Sequence, residues 1–551
     1  METRDRLGEW HHAVRVSRGW RRGAKAFAAG ALSNLALAPF FFSPILFLTL
    51  PVLVWLIDDA ASRPGGMRET AWAAALTGWA FGFGYFLFGL FWIGEAFLVE
   101  ADTFGWLLPF AVTLMPAGLA LFWAAAAAAA ALLWRPGVAR LFILALALAS
   151  AEWLRGHVLT GFPWNVLGYA LTWPLVLMQG AGLLGIYGLT LVAVPLFSAP
   201  LVMTADAARG GERRRAGFRA ALIVAIPLLV LGGYGAARLA TAPPGFVDGV
   251  KIRIVQPSVP QREKWRPENQ AAIFQDHLAL STTDPTGRRD DLAGITHVVW
   301  PEAAMPFLPL EHPEALQAIG EMLPDNTFLL TGALRRDAAH EGEGVLQPRR
   351  AYNSLMVFDG AGALKSVYDK THLVPFGEYL PWQSTLEAIG LEQLTRMRGG
   401  FTEGVTPRPV LQIPGLPSVG GLICYEAIFP GIGAASQTRP EVMVNVTNDG
   451  WFGNTTGPRQ HFHQARVRAV EEGLPLIRVA NNGISAIADS SGQVIVLLGL
   501  NERGSRDSLL PLPRSAPPYA VLGDVTFLLA GLLIAATLVF VSRSGRQINV
   551  Q

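Results

Sequence analysis

Long apolar stretches decide what this chain can fold into. Runs able to cross roughly 30 Å of hydrocarbon fall at about 26–42, 43–58, 71–94, 106–134, 138–154, 173–203 and 217–238, with an eighth at about 525–542. Backbone groups in lipid must be satisfied within the segment, so such runs are helices. Eight membrane helices are therefore expected, the first two divided only around Pro39 and Pro44. Trp123 and Trp134 bracket an alanine run at 124–131, as interfacial anchors would. The chain is 51% hydrophobic and only 16% charged, with a net charge of +2 and no long basic tract, so no nucleic-acid partner is expected.

Positively charged loops are retained in the cytoplasm. Arg4, Arg6, Arg15, Arg18, Arg21, Arg22 and Lys25 put the start of the chain there. Loops reached after even numbers of spans carry Arg63 and Arg68, then Arg135 and Arg140, then Arg209, Arg213, Arg214, Arg215 and Arg219. The opposite loops hold Glu95, Glu100 and Asp102, with Arg155 the exception. Seven spans then leave 240–518 outside the cytoplasm, and the last returns Arg543 and Arg546 to it. Further apolar spans follow the basic start immediately, which favours an uncleaved first helix over a signal peptide.

Composition changes at Thr241-Ala242-Pro243-Pro244-Gly245, where apolar runs give way to short strands and turns. Three regions are expected: a membrane domain at 1–240, a water-soluble domain at 241–515, and a terminal helix with its tail at 516–551. Within the second, β-rich runs recur at 252–255, 297–300, 328–331, 355–358, 420–423, 442–446, 477–480 and 484–488, with helical stretches at 268–280 and 460–472. This is an α/β pattern around a central sheet. Asp359-Gly360-Ala361-Gly362 and Asp489-Ser490-Ser491-Gly492 read as hairpin turns.

Cys424 is the only cysteine, so no internal disulfide can form. Two readings remain open, a small buried filler and a nucleophile. A free thiol is only about 3% thiolate at pH 7, so a nucleophile needs a base or a positive field nearby. Glu302, Lys370 and Cys424 each lie at or just beyond the end of an apolar strand, where loops gather. A buried carboxylate with a raised pKa can act as general base, and an ammonium can hold an oxyanion.

Together these runs resemble the nitrilase, or carbon–nitrogen hydrolase, superfamily, whose Glu-Lys-Cys triad follows this order. The resemblance implies an α-β-β-α sandwich with Glu302 as general base, Lys370 as oxyanion holder and Cys424 as nucleophile, helped by the N–H that follows it. Further runs are similar to the apolipoprotein N-acyltransferase family over nearly the whole chain. They are Thr160-Gly161-Phe162-Pro163-Trp164, residues 256–265, 370–381 and 423–426, Asn448-Asp449-Gly450-Trp451-Phe452-Gly453, and Asn481-Asn482-Gly483. The fold implied is a multi-span α-helical membrane domain plus an α/β nitrilase-like domain. One departure is Ala303, where that family more often has threonine or serine after the glutamate.

By the same resemblance Glu378 and Glu426 are supporting carboxylates and Tyr425 flanks the nucleophile. Trp265, Trp164 and Pro381 are carried over as substrate contacts. Read alone, Glu426 is also a strand-end charge, Trp265 a core or interfacial aromatic and Trp164 a membrane-interface anchor. The implied activity takes a fatty acyl chain from a phospholipid, through a Cys424 thioester, to the α-amino group of a diacylglyceryl-modified apolipoprotein. The implied enzyme is a multi-pass, monomeric protein of the bacterial inner membrane, needs no cofactor, and works on the exterior face. A membrane-tethered amidase acting on a small C–N substrate shares the triad, and a transporter or receptor with a non-catalytic exterior domain is a further alternative. Few ionisable residues interrupt the spans, Glu152 being the main one, which weakens the transporter reading. His461 and His463 are expected to bind no metal, because an H-x-H pair on a helix faces two directions. Asn448 and Asp449 are expected only to shape a turn.

Overall fold

The computed structural model describes the chain apart from residues 1–13, 15–16, 206–209, 242–244, 338–340, 343–344, 347–349, 389–393, 395–399, 432–435, 437 and 549–551. Arg4, Arg6, Arg15, Arg209 and residues 242–244 of the expected boundary thus lie outside the described residues. Two compact units emerge, one of Met1–Phe91, Pro109–Thr241 and Leu522–Gln551, the other of Trp92–Leu108 and Ala242–Val521. Residues 92–108, read from sequence as part of the membrane domain, group with the second unit. Within that unit Trp92 sets its ring edge-on to Phe452 at 4.5 Å, and the Leu98 carbonyl accepts from Arg262.

The first unit is helical: α1 (Trp20–Ser33), α2 (Leu46–Ser62), α3 (Met67–Leu90), α4 (Leu108–Leu132), α5 (Ala139–His157), α6 (Ala181–Ser198) and α7 (Gly210–Ala240), then Val525–Ile548. Among the described residues five helical stretches are long and apolar enough to cross a membrane: Ser43–Ser62, Met67–Leu98, Ala101–Leu132, Ala181–Ser198 and Arg214–Ala240. The other three expected spans are helices that miss this standard for different reasons. The first, α1, has only 14 residues and ends before Pro39. α5 carries Arg140, Glu152 and Arg155, all buried within its own unit. The last has an apolar part, Val525–Val541, of fewer than 18 residues. Side chains such as Leu114, Leu121, Leu229, Val230, Leu533 and Phe540 are exposed, as a lipid-facing surface requires.

Polar residues inside this unit find partners on its own backbone and side chains. Glu152 accepts from the Leu167 N–H at 2.9 Å and the Thr190 hydroxyl at 2.8 Å. Arg155 donates to the carbonyls of Phe162 and Trp164. Trp123 is not an interfacial anchor: it is fully buried, stacked on Tyr85 at 5.0 Å and on Phe81 at 5.6 Å. Trp134 does stand at a helix end, but there its indole N–H is fixed by Asp58 at 2.8 Å.

The second unit holds two six-stranded sheets among its described residues. The strands are β1 (Phe246–Gln256), β2 (His297–Trp300), β3 (Phe328–Arg336), β4 (Ala351–Phe358), β5 (Leu364–Asp369), β6 (Val410–Leu411), β7 (Val419–Ile423), β8 (Val442–Thr447), β9 (Leu476–Ala480), β10 (Ser485–Ala488), β11 (Val494–Leu498) and β12 (Gly504–Pro511). One sheet runs β12-β1-β2-β3-β4-β5 and the other β11-β10-β9-β8-β7-β6. β1, β2 and β3 are parallel, as are β7, β8 and β9, and the remaining neighbours are antiparallel. Both expected hairpin turns form, with Asp359 and Asp489 accepting from N–H groups two and four residues on.

Period-two alternation sorts the core. Ile252, Ile254, Val299, Leu330, Leu355 and Val357 of one sheet meet Ile423, Val444, Val446, Ile477 and Val479 of the other. Their neighbours Val298, Leu329, Met356 and Phe358 face outward onto α8 (Gln270–Ser281) and α9 (Pro313–Met322). Leu422, Met443 and Leu476 likewise face Ala465 and Ala469 of α10 (Gly457–Glu472). With both faces covered, the strands read as nearly unbroken apolar runs, and the order of layers is α-β-β-α.

Close helix approach in the first unit depends on missing side chains, a recurrent device where lipid removes the hydrophobic drive to associate. A Cβ at Gly30 of α1 would lie 1.9 Å from the Phe81 carbonyl oxygen of α3, and one at Gly84 2.1 Å from that of Phe27. Gly30→Val is expected to force α1 off α3 and destabilise the unit by at least about 1–3 kcal/mol. Thermal unfolding in detergent should show a lowered midpoint, and an unchanged midpoint would contradict this packing.

Candidate active site

The triad expected from sequence converges where strands of both sheets end. β2 runs out at Pro301-Glu302, β5 at Asp369-Lys370 and β7 at Ile423-Cys424. Non-glycine residues in the left-handed region follow all three strands, Ala303 at φ 46°, Phe376 at φ 62° farther along the loop beyond Lys370, and Cys424 itself at φ 50°. That conformation is uncommon without glycine and clusters at functional sites. Gly332 makes room for the first turn: a Cβ there would stand 2.4 Å from the Glu302 Cα. Its N–H instead donates to the Pro301 carbonyl at 3.1 Å.

Lys370 is 1% exposed, and its Nζ lies 2.8 and 2.9 Å from the two carboxylate oxygens of Glu378 and 4.0 Å from Glu302 Oε1. The Asn353 amide bridges the carboxylates, donating to Glu302 Oε1 at 2.8 Å and to Glu378 Oε1 at 3.0 Å. Glu378 also accepts the Val374 N–H, which ties the loop after β5 to the ammonium. Burial alone would lower the pKa of Lys370, but Glu378 and then Glu302 override it and hold the ammonium above its ordinary value. Burial, reinforced by Glu378, raises Glu302 above the usual carboxylate range despite Lys370.

Burial first, then the charge of Glu302, push the Cys424 thiol far up against the opposing pull of Lys370. The resting pair is thus a neutral thiol beside a basic carboxylate, suited to proton transfer during attack rather than to a standing thiolate.

Glu426 has a different task. Its Oε1 accepts from Tyr368 Oη at 2.8 Å, Thr371 Oγ1 at 2.9 Å, and the N–H groups of Thr371 and His372 at 3.0 and 3.1 Å, with Arg408 at 3.3 Å. Its Oε2 takes the Ile423 N–H at 2.8 Å. It therefore clamps the cysteine turn to the lysine loop. Burial opposes its charge, but Arg408 and the Ile423 N–H keep its pKa below the ordinary value. Gly421 lets Tyr368 reach across, since a Cβ there would be 2.9 Å from the tyrosine ring.

The remaining expected residues are scattered. Tyr425 is buried and edge-on to Phe429 at 5.0 Å, with His372 alongside. Trp265 is 42% exposed just after the short turn Gln261–Lys264. Pro381 is half-buried beside Trp382, which is 79% exposed. Trp164 belongs to the first unit, where it is buried against Phe162.

Sequence reasoning missed several residues. Asn353 is an amide in a fully buried strand whose other residues are mostly apolar, and that was the available signal. Lys264 is a buried lysine whose Nζ donates to the Glu302 carbonyl at 2.9 Å. Asp449 does more than shape a turn: its carboxylate meets His461 Nδ1 and Arg478, each at 2.8 Å, and accepts from Thr447 Oγ1 at 3.0 Å. Burial opposes this charge, but Arg478 and His461 bring it down to about 2. The other nitrogen of His461 lies 3.1 Å from the Cys424 carbonyl, so this histidine supports the backbone of the cysteine turn.

Residues 251–512 match the family model for carbon-nitrogen hydrolases, and 29–199 match that for the apolipoprotein N-acyltransferase N-terminal domain. The apolipoprotein N-acyltransferase of Rhodopseudomonas palustris is 47% identical over 541 residues, covering 98% of each chain. That of Bradyrhizobium diazoefficiens is 46% identical, again over 98% of each. Among solved structures, an amidase from Nesterenkonia sp. aligns at 18% identity and TM-score 0.34, over 51% of this chain and 96% of its own.

Glu426 and Asp449 both have lowered pKa values in the fold. Their stabilisation is full above the ordinary carboxylate range and is lost as pH falls, for Asp449 between about 4 and about 2. Glu426→Ala should remove the clamp and strand Arg408, costing about 3–5 kcal/mol. Hydrogen exchange of peptides spanning β7 and the cysteine turn should accelerate accordingly at neutral pH, and unchanged protection would refute the clamp.

Proposed function

This chain belongs to the apolipoprotein N-acyltransferase family, and from that premise we propose that it transfers a fatty acyl chain from a phospholipid to the α-amino group of a lipoprotein's diacylglyceryl-cysteine. The reading is carried by one observation: the family's cysteine stands, protonated, beside a buried general base and an ammonium already paired with a second carboxylate.

In the first half-reaction Glu302 takes the thiol proton as the sulfur bonds to the ester carbon. Lys370 and the Tyr425 N–H hold the oxyanion. Collapse breaks the ester C–O bond, and the proton on Glu302 leaves with the lysophospholipid. Cys424 then carries a thioester. In the second half the α-amine attacks that thioester, forming an amide and releasing the thiol, while Glu302 moves the amine proton to sulfur. An α-amine, with pKa about 7.7–8.0, is neutral in roughly a tenth of molecules at pH 7, whereas a lysine is almost wholly protonated. That difference favours the chain terminus as acceptor.

Glu378 fixes Lys370, Glu426 fixes the cysteine turn and Tyr425 flanks the nucleophile, while Trp265, Trp164 and Pro381 are the substrate contacts that the family resemblance carries over. Both substrates are lipids, which accounts for a catalytic domain joined to membrane helices. The positive-inside pattern supports an exterior-facing site on the bacterial inner membrane, and a monomer suffices because one chain supplies the triad.

Incubation with a diacyl phospholipid in detergent micelles should add one fatty-acyl mass to the Cys424 peptide, removable by neutral hydroxylamine. Cys424→Ala should abolish both the adduct and transfer, and Lys370→Ala should slow adduct formation by about 10²–10³-fold. A preparation that acylates lipopeptide without ever showing the adduct would rule out the thioester route.

A further inference from the structure

Lys264 has no role in the mechanism above, yet it is as buried as Lys370, at 1% exposure. It closes the turn Gln261–Lys264 just before Trp265, and its one hydrogen bond among the described residues goes to the main-chain carbonyl of Glu302, at 2.9 Å. Among those residues the ion pairs of this cluster join Lys370 to Glu302 and Glu378, and none includes Lys264. An ammonium taken out of water for a single neutral acceptor is costly. Such a group persists where it serves an anion that forms only during reaction. The anion-forming groups that act on it are Glu302 and Cys424.

We propose that Lys264 is a second positioning cation of the acyl-transfer site, pinning the Glu302 turn and balancing the negative charge that appears on sulfur and then on the carbonyl oxygen. This rests on acyl transfer through Cys424. The charge count supports it. Lys370 is committed to Glu378, so Glu302 lacks a close cation of its own. With Lys264 charged, the two carboxylates and two ammoniums balance. When the thiol proton moves to Glu302, the new oxyanion inherits the counter-charge that Lys264 supplied. With Lys264 neutral, the oxyanion forms in a site that already carries excess negative charge.

The groups facing Lys264 are Glu302 after β2, Cys424 after β7, and His277 of α8. Burial lowers the pKa of Lys264 to about 8, against the pull of Glu302 and Cys424. Burial also brings His277 down to about 4, so it stays neutral near pH 8, with Nδ1 on the Ile273 carbonyl at 2.8 Å. Lys370 and the thiol are both held above their ordinary values and do not titrate there.

Acyl-enzyme formation should therefore be followed against pH, with a diacyl phospholipid in detergent and no amine acceptor. The wild-type rate should rise as Glu302 ionises and fall above about pH 8 as Lys264 loses its proton. Lys264→Met should be at least about tenfold slower below that point and show no such fall. Lys264→Arg, charged throughout, should keep most of the rate and also lose the fall. A Lys264→Met enzyme with the wild-type rate, or a Lys264→Arg enzyme with the wild-type alkaline fall, would overturn the proposal. If Lys264→Met does not fold, by size exclusion in detergent, the Lys264→Arg profile decides alone. A wild type that forms no acyl-enzyme would instead overturn transfer through Cys424. The field of Lys264 is then read from iodoacetamide alkylation of Cys424, expected to be slower in Lys264→Met than in wild type, and equal rates would remove it.

Discussion

The Glu426 carboxylate is the joint on which the second unit's site is assembled. Cys424 and Lys370 arrive on different sheets, β7 and β5, and no backbone ladder joins those two strands. What fixes one against the other is a side chain that collects donors from Tyr368, Thr371, His372, Arg408 and Ile423. A fully buried charge is expensive unless every lone pair is used, and here that demand sets the geometry. The carboxylate can be satisfied only when the cysteine turn and the lysine loop sit together. Charge burial thus acts as a register mark between sheets.

A second layer of the same logic separates two otherwise similar glutamates. Glu378 takes the lysine at 2.8 Å and a backbone N–H, whereas Glu302 stands 4.0 Å from that ammonium. The close pair absorbs the attraction of Lys370. The looser one stays basic because burial and its neighbour's charge raise it. Asn353, donating to both, keeps the carboxylates from repelling each other apart. Behind the cysteine turn, Arg478, Asp449 and His461 form a buried chain ending on the Cys424 carbonyl. It supports a left-handed residue that no glycine relieves.

How much of this was legible in the sequence follows from whether the signal was local. Strand ends at Glu302, Lys370 and Cys424 could be read because each follows an apolar run, and both hairpins because Asp and Gly mark their turns. Asn353, Lys264 and Asp449 escaped because their meaning lies in partners distant along the chain, 51, 38 and 29 residues away for Glu302, Glu302 and Arg478. Hydropathy found all eight helical segments, of which five among the described residues are by themselves long and apolar enough to span. A run of apolar residues does not reveal that α1 stops at Ser33 or that the charges of α5 are buried against their own unit. Trp123 was misread for the same reason, since a flanking alanine run suits a tight helix contact as well as a lipid interface.

The buried, protonated state of Cys424 has a consequence for chemical wear. Peroxides and similar oxidants attack thiolates, and the ladder from sulfenic to sulfonic acid begins only where the thiolate is populated and reachable. Here burial and a neighbouring carboxylate keep the proton on sulfur at rest, and the residue is 6% exposed. A chain with no second cysteine has none of its own to resolve a sulfenic acid as a disulfide. The features that delay ionisation of this thiol are therefore also its protection, holding back oxidation at the one sulfhydryl the chain has.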